Sequence, residues 1–287
     1  MILSLLWGGS FLSVRIALDK IGPLTTVAHR TGWAMLILWG YVALRRLPVP
    51  QGWRVWAAFL GMGILNNVIP FSLMAWGQLH IESGLTSILN AATAIFGVIA
   101  AAIFFSDERL SARKAIGVTF GFFGVATAIG LSSLAQFDLR SLGQLAVIGG
   151  TVSYALAGVW ARKSLSHLPP QIAAAGMVTG ASIVMIPMAW IIEGPITLSL
   201  EPRTWAAIAY YAIAATAVAY LLYYRVLQLA GSGNLMLCTL TVAPVAIVLG
   251  AVVLGEALPL RAYIGFGLLA VGLLILDGRL VARLKRP

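Results

Sequence analysis

The sequence repeats itself at an offset of 147–149 residues, and each copy carries an odd number of apolar runs of membrane-spanning length. Trp7, Arg15, Leu18, Pro23 and Ala28 align with Tyr154, Arg162, Leu165, Pro170 and Ala175 at offset 147. Arg54, Trp56, Ala57 and Ala58 align with Arg203, Trp205, Ala206 and Ala207 at offset 149. Glu108, Leu110, Arg113, Gly117 and Gly124 align with Glu256, Leu258, Arg261, Gly265 and Gly272 at offset 148. Convergent membrane composition is the competing explanation. Three groups of matches, in order and at nearly one offset, argue against it. Five spans per copy force the two copies to lie upside down relative to each other. The expectation is two five-helix units, 1–135 and 136–287, with any binding site at the interface between them.

The chain is 60% hydrophobic and 10% charged, with a mean hydropathy of +0.95. A soluble domain carries about 25% charged residues, so this one cannot coat itself for water. A span takes about 20 apolar residues, and 287 residues then leave no room for a soluble catalytic domain. The net charge of +10 does not point to nucleic acid, because the basic residues punctuate the ends of apolar runs, as orientation signals do. The single cysteine, Cys238, excludes an intrachain disulfide and a thiolate metal site. No cofactor, metal or catalytic residue is expected. The start of the chain lacks the basic region of a signal peptide, and Arg15 interrupts its apolar stretch. The run begins at Met1, so the first span is short or the natural N-terminus is trimmed.

Ten apolar segments are expected, at 2–20, 24–45, 53–79, 83–105, 112–132, 141–162, 170–192, 204–228, 233–254 and 260–280. Turn chemistry separates many of them: Gly22-Pro23, Pro48-Val49-Pro50, Pro169-Pro170, Glu193-Gly194-Pro195 and Gly231-Ser232-Gly233. With both termini in the cytoplasm, 13 of the 19 basic residues fall inside and 6 outside, which satisfies the positive-inside bias. The fold class is thus an all-α integral membrane protein: ten transmembrane helices, in two inverted five-helix repeats around a central cavity.

Polar side chains within spans face a bundle interior or a wet cavity, because lipid cannot solvate them. Asn67, Phe71, Met74 and Gln78 share one face of span 3. Asn66 falls on another face, so only one of the two asparagines is expected at the cavity. The competing reading is interhelical glue. Pro70 removes a backbone hydrogen bond and is expected to kink the span. In span 4, Ser87, Asn90 and Thr93 recur every third residue, and Asn90 aligns with Cys238. Back-bonding of Ser87 and Thr93 to their own helix is the alternative. Trp7, Tyr154, Tyr220 and Tyr224 are candidate cavity aromatics, with faces suited to apolar groups or cations. Trp39, Trp53, Trp56 and Trp205 read as interfacial belt residues. Arg30 lies about one and a half turns into span 2; it either snorkels to the outer surface or meets a carboxylate. His80, beside Glu82, lies at the outer turn between spans 3 and 4, where it titrates near neutral pH or stands exposed in a loop. The candidate binding set is Trp7, Arg30, Asn67, Gln78, His80, Asn90, Tyr154, Tyr220, Tyr224 and Cys238.

Several residues resemble those of the drug/metabolite transporter superfamily in its ten-helix EamA-type form. They are Trp7-Gly8, Pro23 with Arg30, the Tyr220, Tyr223 and Tyr224 cluster before Gly231-Ser232-Gly233, Pro244, and Gly255-Glu256 followed by Gly265 and Gly272. The layout is most similar to the bacterial amino-acid exporters of that superfamily. Phe96 stands where the pattern of Pro244 would repeat, so span 4 is expected to lack that kink. The resemblance implies a central cavity lined by spans 1–4 and 6–9. Spans 5 and 10 then lie at the periphery, as scaffold or as the contact of a homodimer. The glycine spacing of those two spans is also what close helix packing needs.

No lysine completes a phosphate-binding loop, and no Asp or Glu lies at mid-span, so neither ATP nor a carboxylate proton relay is expected to drive transport. An intramembrane serine hydrolase would need Ser232 beside a histidine, and the topology puts His80 on the opposite side. A channel is the other low-ranking alternative. The sequence therefore reads as a multi-pass carrier in the bacterial inner membrane, exporting amino acids or related small metabolites by alternating access. An exporter of drugs or organic cations is the runner-up. Its partners would be the small-molecule substrate and the lipid bilayer, with no nucleic acid.

Overall fold

The computed structural model describes residues 2–108, 110–130 and 139–277, with side chains described throughout except at 224–240. Regular structure among these residues is entirely helical. In a bilayer core every backbone N–H and C=O must find its partner within the segment, and a helix does this with local bonds alone. The segments are α1 (Ile2–Leu18), α2 (Pro23–Leu44), α3 (Trp53–Gly77), α4 (Ser83–Phe104), α5 (Ala112–Ile129), α6 (Leu139–Ser164), α7 (Pro170–Glu193), α8 (Pro202–Tyr223), α9 (Thr241–Leu254) and α10 (Leu260–Asp277). Seven of these, α3 to α8 and α10, are long and apolar enough to cross a membrane. α1 and α9 are apolar but shorter. α2 has 22 residues, but the threonines, His29 and Arg30 of its first turns make it too polar to qualify on composition alone. Proline opens α2, α7 and α8, where its missing N–H costs nothing. Glycines with positive φ close α5, α7 and α9 (Gly130, Gly194 and Gly255).

Helical hydrogen bonding continues from α8 through Leu254, yet α8 and α9 are not one rod. In a straight helix Tyr223 and Thr241 would lie roughly 27 Å apart. Instead the rings of Tyr223 and Trp7 meet at a tilt, 5.9 Å apart, and the Thr241 hydroxyl donates to Ser4 Oγ at 2.6 Å. Both residues meet the first turns of α1, so α8 and α9 lie antiparallel against it.

The helices pack in matched pairs. α1 packs against α8 and α9, and α6 packs against α3 and α4; α2 lies on α7, and α5 on α10. The last pair has the closest approach. A Cβ on Gly265 would stand 2.5 Å from the backbone oxygen of Gly124, and one on Gly124 would stand 2.7 Å from that of Gly265. Gly124 and Gly265 are therefore buried in the contact between α5 and α10 within the chain. Arg113 at the start of α5 donates to the carbonyls of Ile275 and Leu276 at the end of α10, where a cation suits the helix dipole.

Two spans depart from α geometry at equivalent places. Ile64–Val68 in α3 and Tyr210–Val218 in α8 form wider π turns. Shifted by the offset of 149, the first segment falls on residues 213–217, inside the second. Pro70 follows the π turn of α3, which displaces the carbonyl that its ring would strike. α8 has no proline there, so proline is not the general cause. Span 4 corrects an expectation. Although Phe96 replaces proline, α4 is interrupted at Ala91-Ala92, where the N–H groups of Ala91 and Ala92 donate to Ile88 and Leu89, three residues back. Pro244 is accommodated inside a helix.

Ion pairs gather at the two ends of the bundle. At the predicted outer end, Arg140 pairs with Glu82 at 2.9 Å and Lys20 with Glu201 at 2.8 Å. The hydrogen bond to Glu201 raises the Lys20 pKa. Glu193, on α7, accepts from the first N–H groups of α2 at Leu24 and Thr25. At the predicted inner end, Arg162 pairs with Asp107, and that hydrogen bond holds the Asp107 carboxyl below the usual range.

Candidate functional site

The candidate site lies where α2, α3, α6 and α8 meet. Arg30 lies two turns into α2 and is buried, with 8% of its surface exposed. It does not snorkel. Its Nε donates to Thr216 Oγ1 at 2.9 Å, and its guanidinium carbon lies 3.9 Å from the centre of the Phe71 ring. Thr216 can serve because the π turn positions it: its own hydroxyl donates to the carbonyl of Tyr211, five residues back, at 2.7 Å. Phe71 in turn meets Tyr154 of α6 edge-on at 6.3 Å. The phenols of Tyr154, Tyr220 and Tyr211 also lie near Arg30.

The asparagine pair extends this cluster and corrects the helical-face argument. Tyr220 donates its hydroxyl to Asn67 Oδ1 at 3.2 Å and accepts from Asn66 Nδ2 at 3.3 Å. Both asparagines thus reach one phenol. An α-helix would turn consecutive residues about 100° apart, but the π turn at Ile64–Val68 opens the face to both. Asn67 is fully buried, and its Nδ2 has no hydrogen-bond partner. Asn66, Tyr154 and Tyr220 are only partly buried and form the accessible edge of the cluster.

Other candidates are dispersed. Gln78 is buried at the predicted outer end of α3, with Oε1 unpartnered. His80 is neither in a free loop nor exposed: it is half-buried, edge-on to Trp76 at 4.6 Å and against Gly143. Asn90 ends the first part of α4, with a buried, unpartnered Oδ1. The Thr93 hydroxyl bonds back to the Asn90 carbonyl, whereas buried Ser87 has no partner for its own. Trp7 packs at the opposite end of the bundle, on Tyr223 of α8. Tyr224 and Cys238 fall outside the described side chains. Of the belt tryptophans, Trp53 is exposed, Trp39 stacks on Trp56, and Trp205 meets His29 and Trp33.

The sequence profile of one protein family, described as the EamA-like transporter family, matches residues 1–130 and 141–276. The chain belongs to the EamA-like transporter family. It is therefore a multi-pass membrane transporter and not an enzyme. It is similar to a probable amino-acid metabolite efflux pump of Escherichia coli, at 24% identity over 94% of this chain and 90% of that protein. A probable terminal-alkyne amino-acid exporter of Streptantibioticus cattleyicolor is also 24% identical, over 96% and 91%. A solved crystal structure shares the fold with a TM-score of 0.70 at 18% identity, covering 98% of this chain and 96% of the other.

Four residues of this transporter's cluster escape the sequence reading as candidates: Asn66, Phe71, Tyr211 and Thr216. The repeat itself could have found two of them. At the offset of 149 that aligns Trp56 with Trp205, Asn67 falls on Thr216 and Phe71 falls on Tyr220. Asn67 with Thr216 and Phe71 with Tyr220 are thus two pairs of mates on α3 and α8. Replacing Tyr220 with phenylalanine leaves Asn66 and Asn67 without that partner, at a cost of about 1–3 kcal/mol. Tyr220→Phe is expected to lower transport several-fold while the protein still elutes as a single species. Wild-type flux would remove Tyr220 from the site.

Proposed function

We propose that this transporter exports amino acids or related small metabolites by alternating access. It would do so in the bacterial inner membrane, with both termini in the cytoplasm. The units 1–135 and 136–287 act as inverted repeats that rock around the cluster between them. The observation that carries this reading is the position of that cluster: Arg30, Asn66, Asn67 and Phe71 come from the first unit, and Tyr154, Thr216 and Tyr220 from the second. A polar group set shared by both units is exposed to each side in turn as they rock. The equivalent packing of α1 on α8 and α9 and of α6 on α3 and α4, with α2 on α7 and α5 on α10, supports the same division. The names carried by the Escherichia coli and Streptantibioticus relatives support amino acids as the cargo.

The energy source follows from the charges. Glu and Asp among the described residues lie at span ends, so no carboxylate stands at mid-span to carry a proton. Facilitated or exchange transport is the consequence. Labelled amino-acid flux in proteoliposomes, with and without a pH gradient, tests both parts. The expected result is saturable flux with counter-transport and no dependence on the gradient. Absence of flux for every amino acid, from folded protein, would refute the export reading. Robust uphill transport driven by the gradient alone would refute the passive mechanism.

A further inference from the structure

We infer that Arg30 is the anchor for a substrate carboxylate, and that the site reads this carboxylate without reading an accompanying ammonium group. The inference rests on the transporter reading above and narrows its substrate class.

Burying a guanidinium costs several kcal/mol unless an anion and hydrogen bonds compensate it. Arg30 is buried, and among the described residues no carboxylate pairs with it. Its Nε is occupied by Thr216, and one face of the guanidinium is covered by Phe71. Together these fix the plane of the group. The two terminal nitrogens make no hydrogen bond among the described residues. They form the edge that a carboxylate engages with two parallel bonds. A second donor waits in the same cluster, the unpartnered Nδ2 of fully buried Asn67. The surrounding groups are phenols and a phenyl ring, which suit the apolar remainder of a small organic acid.

The cluster holds no negative group to receive an ammonium. An amino acid and the 2-oxo acid of the same skeleton should therefore bind alike. An organic cation would meet an uncompensated guanidinium and be repelled, which separates this site from one built for cationic drugs.

Binding is read apart from transport, by the melting shift of detergent-solubilised protein with four probes of one skeleton. These are leucine, 4-methyl-2-oxopentanoate, leucinamide and isopentylamine. Upward shifts of similar size are expected for the first two and none for the last two. In Arg30→Gln the carboxylate shifts should vanish, with affinity at least about tenfold weaker. If Arg30→Gln does not give folded protein, Arg30→Lys keeps the charge but loses the planar fork, and its shift should be less than half. An equal shift with leucinamide or isopentylamine, a preserved shift in the variants, or no shift with either carboxylate overturns the proposal. Proteoliposome flux keeps the two readings apart. Leucine flux with no preference for the carboxylate refutes the role of Arg30 and leaves the exporter standing. A carboxylate-dependent shift without any amino-acid flux does the reverse.

Discussion

Gly265→Leu is expected to lower the melting midpoint of the solubilised protein by about 5–10 °C, while Gly267→Leu leaves it nearly unchanged. The two glycines lie two residues apart on α10 and differ in what a side chain would meet. A Cβ at Gly265 stands 2.5 Å from the backbone nitrogen of Ala128 and the backbone oxygen of Gly124. Backbone atoms of a packed helix cannot swing aside as the end of a side chain can. α5 and α10 would have to separate along their length. Separating them would also pull Arg113 from the carbonyls of Ile275 and Leu276. Overpacking of this kind costs about 3 kcal/mol or more. A Cβ at Gly267 has nothing within 4 Å, so leucine there faces lipid. A thermal ramp followed by size-exclusion chromatography measures both. Equal midpoints for the two variants would show that the α5–α10 crossing contributes nothing to stability.

Glu256→Ala is expected to destabilise the protein by about 1–3 kcal/mol, well beyond the effect of Glu201→Ala. Glu256 follows α9 but acts on α4. It accepts from Ser83 N at 2.9 Å, Ser83 Oγ at 2.8 Å and Gly84 N at 3.2 Å. A carboxylate at a helix N-terminus satisfies donors that the helix cannot, and opposes the positive end of its dipole. Ser83 is fully buried, so its donors would be left unpaired. Glu201 instead makes an exposed bridge to Lys20, whose side chain is 49% accessible. Exposed bridges of that sort contribute little, because water and salt screen them. The same thermal assay distinguishes the two carboxylates, and an equal loss from both variants would reduce the Glu256 contact to an ordinary surface interaction.

The helical segments themselves were legible because membrane spans obey a strong local rule. About 20 apolar residues bounded by turn chemistry have little choice but to form a helix in lipid. Gly22-Pro23 and Glu193-Gly194-Pro195 marked breaks that the structure also has. Local rules failed where the backbone left α geometry. The period of 3.6 residues separated Asn66 from Asn67, and the π turn brought both to Tyr220. The missing proline at Phe96 suggested an uninterrupted span, yet α4 breaks at Ala91-Ala92. The break at Ala91-Ala92 has no signature in residue type, and Pro70 marked a disturbance in α3 without showing which residues would come to share a face.

The candidate site divides in the same way. Arg30, Asn67, Tyr154 and Tyr220 were recognisable alone, since a charged, amide or phenolic group within a span is costly unless it is used. Their assembly was not. Arg30 had two open fates in the sequence, and only the approach of α8 and α3, carrying Thr216 and Phe71, made burial the outcome. Gln78, His80 and Asn90 satisfied the same polarity argument but lie away from the cluster. Sequence alone determined that this chain lives in a membrane and belongs with transporters, because hydropathy and the motifs from Trp7 to Gly272 are encoded residue by residue. Tertiary structure alone decided which polar groups meet, because the partners of Arg30 are separated from it by up to 186 residues and a contact across helices leaves no trace in local spacing.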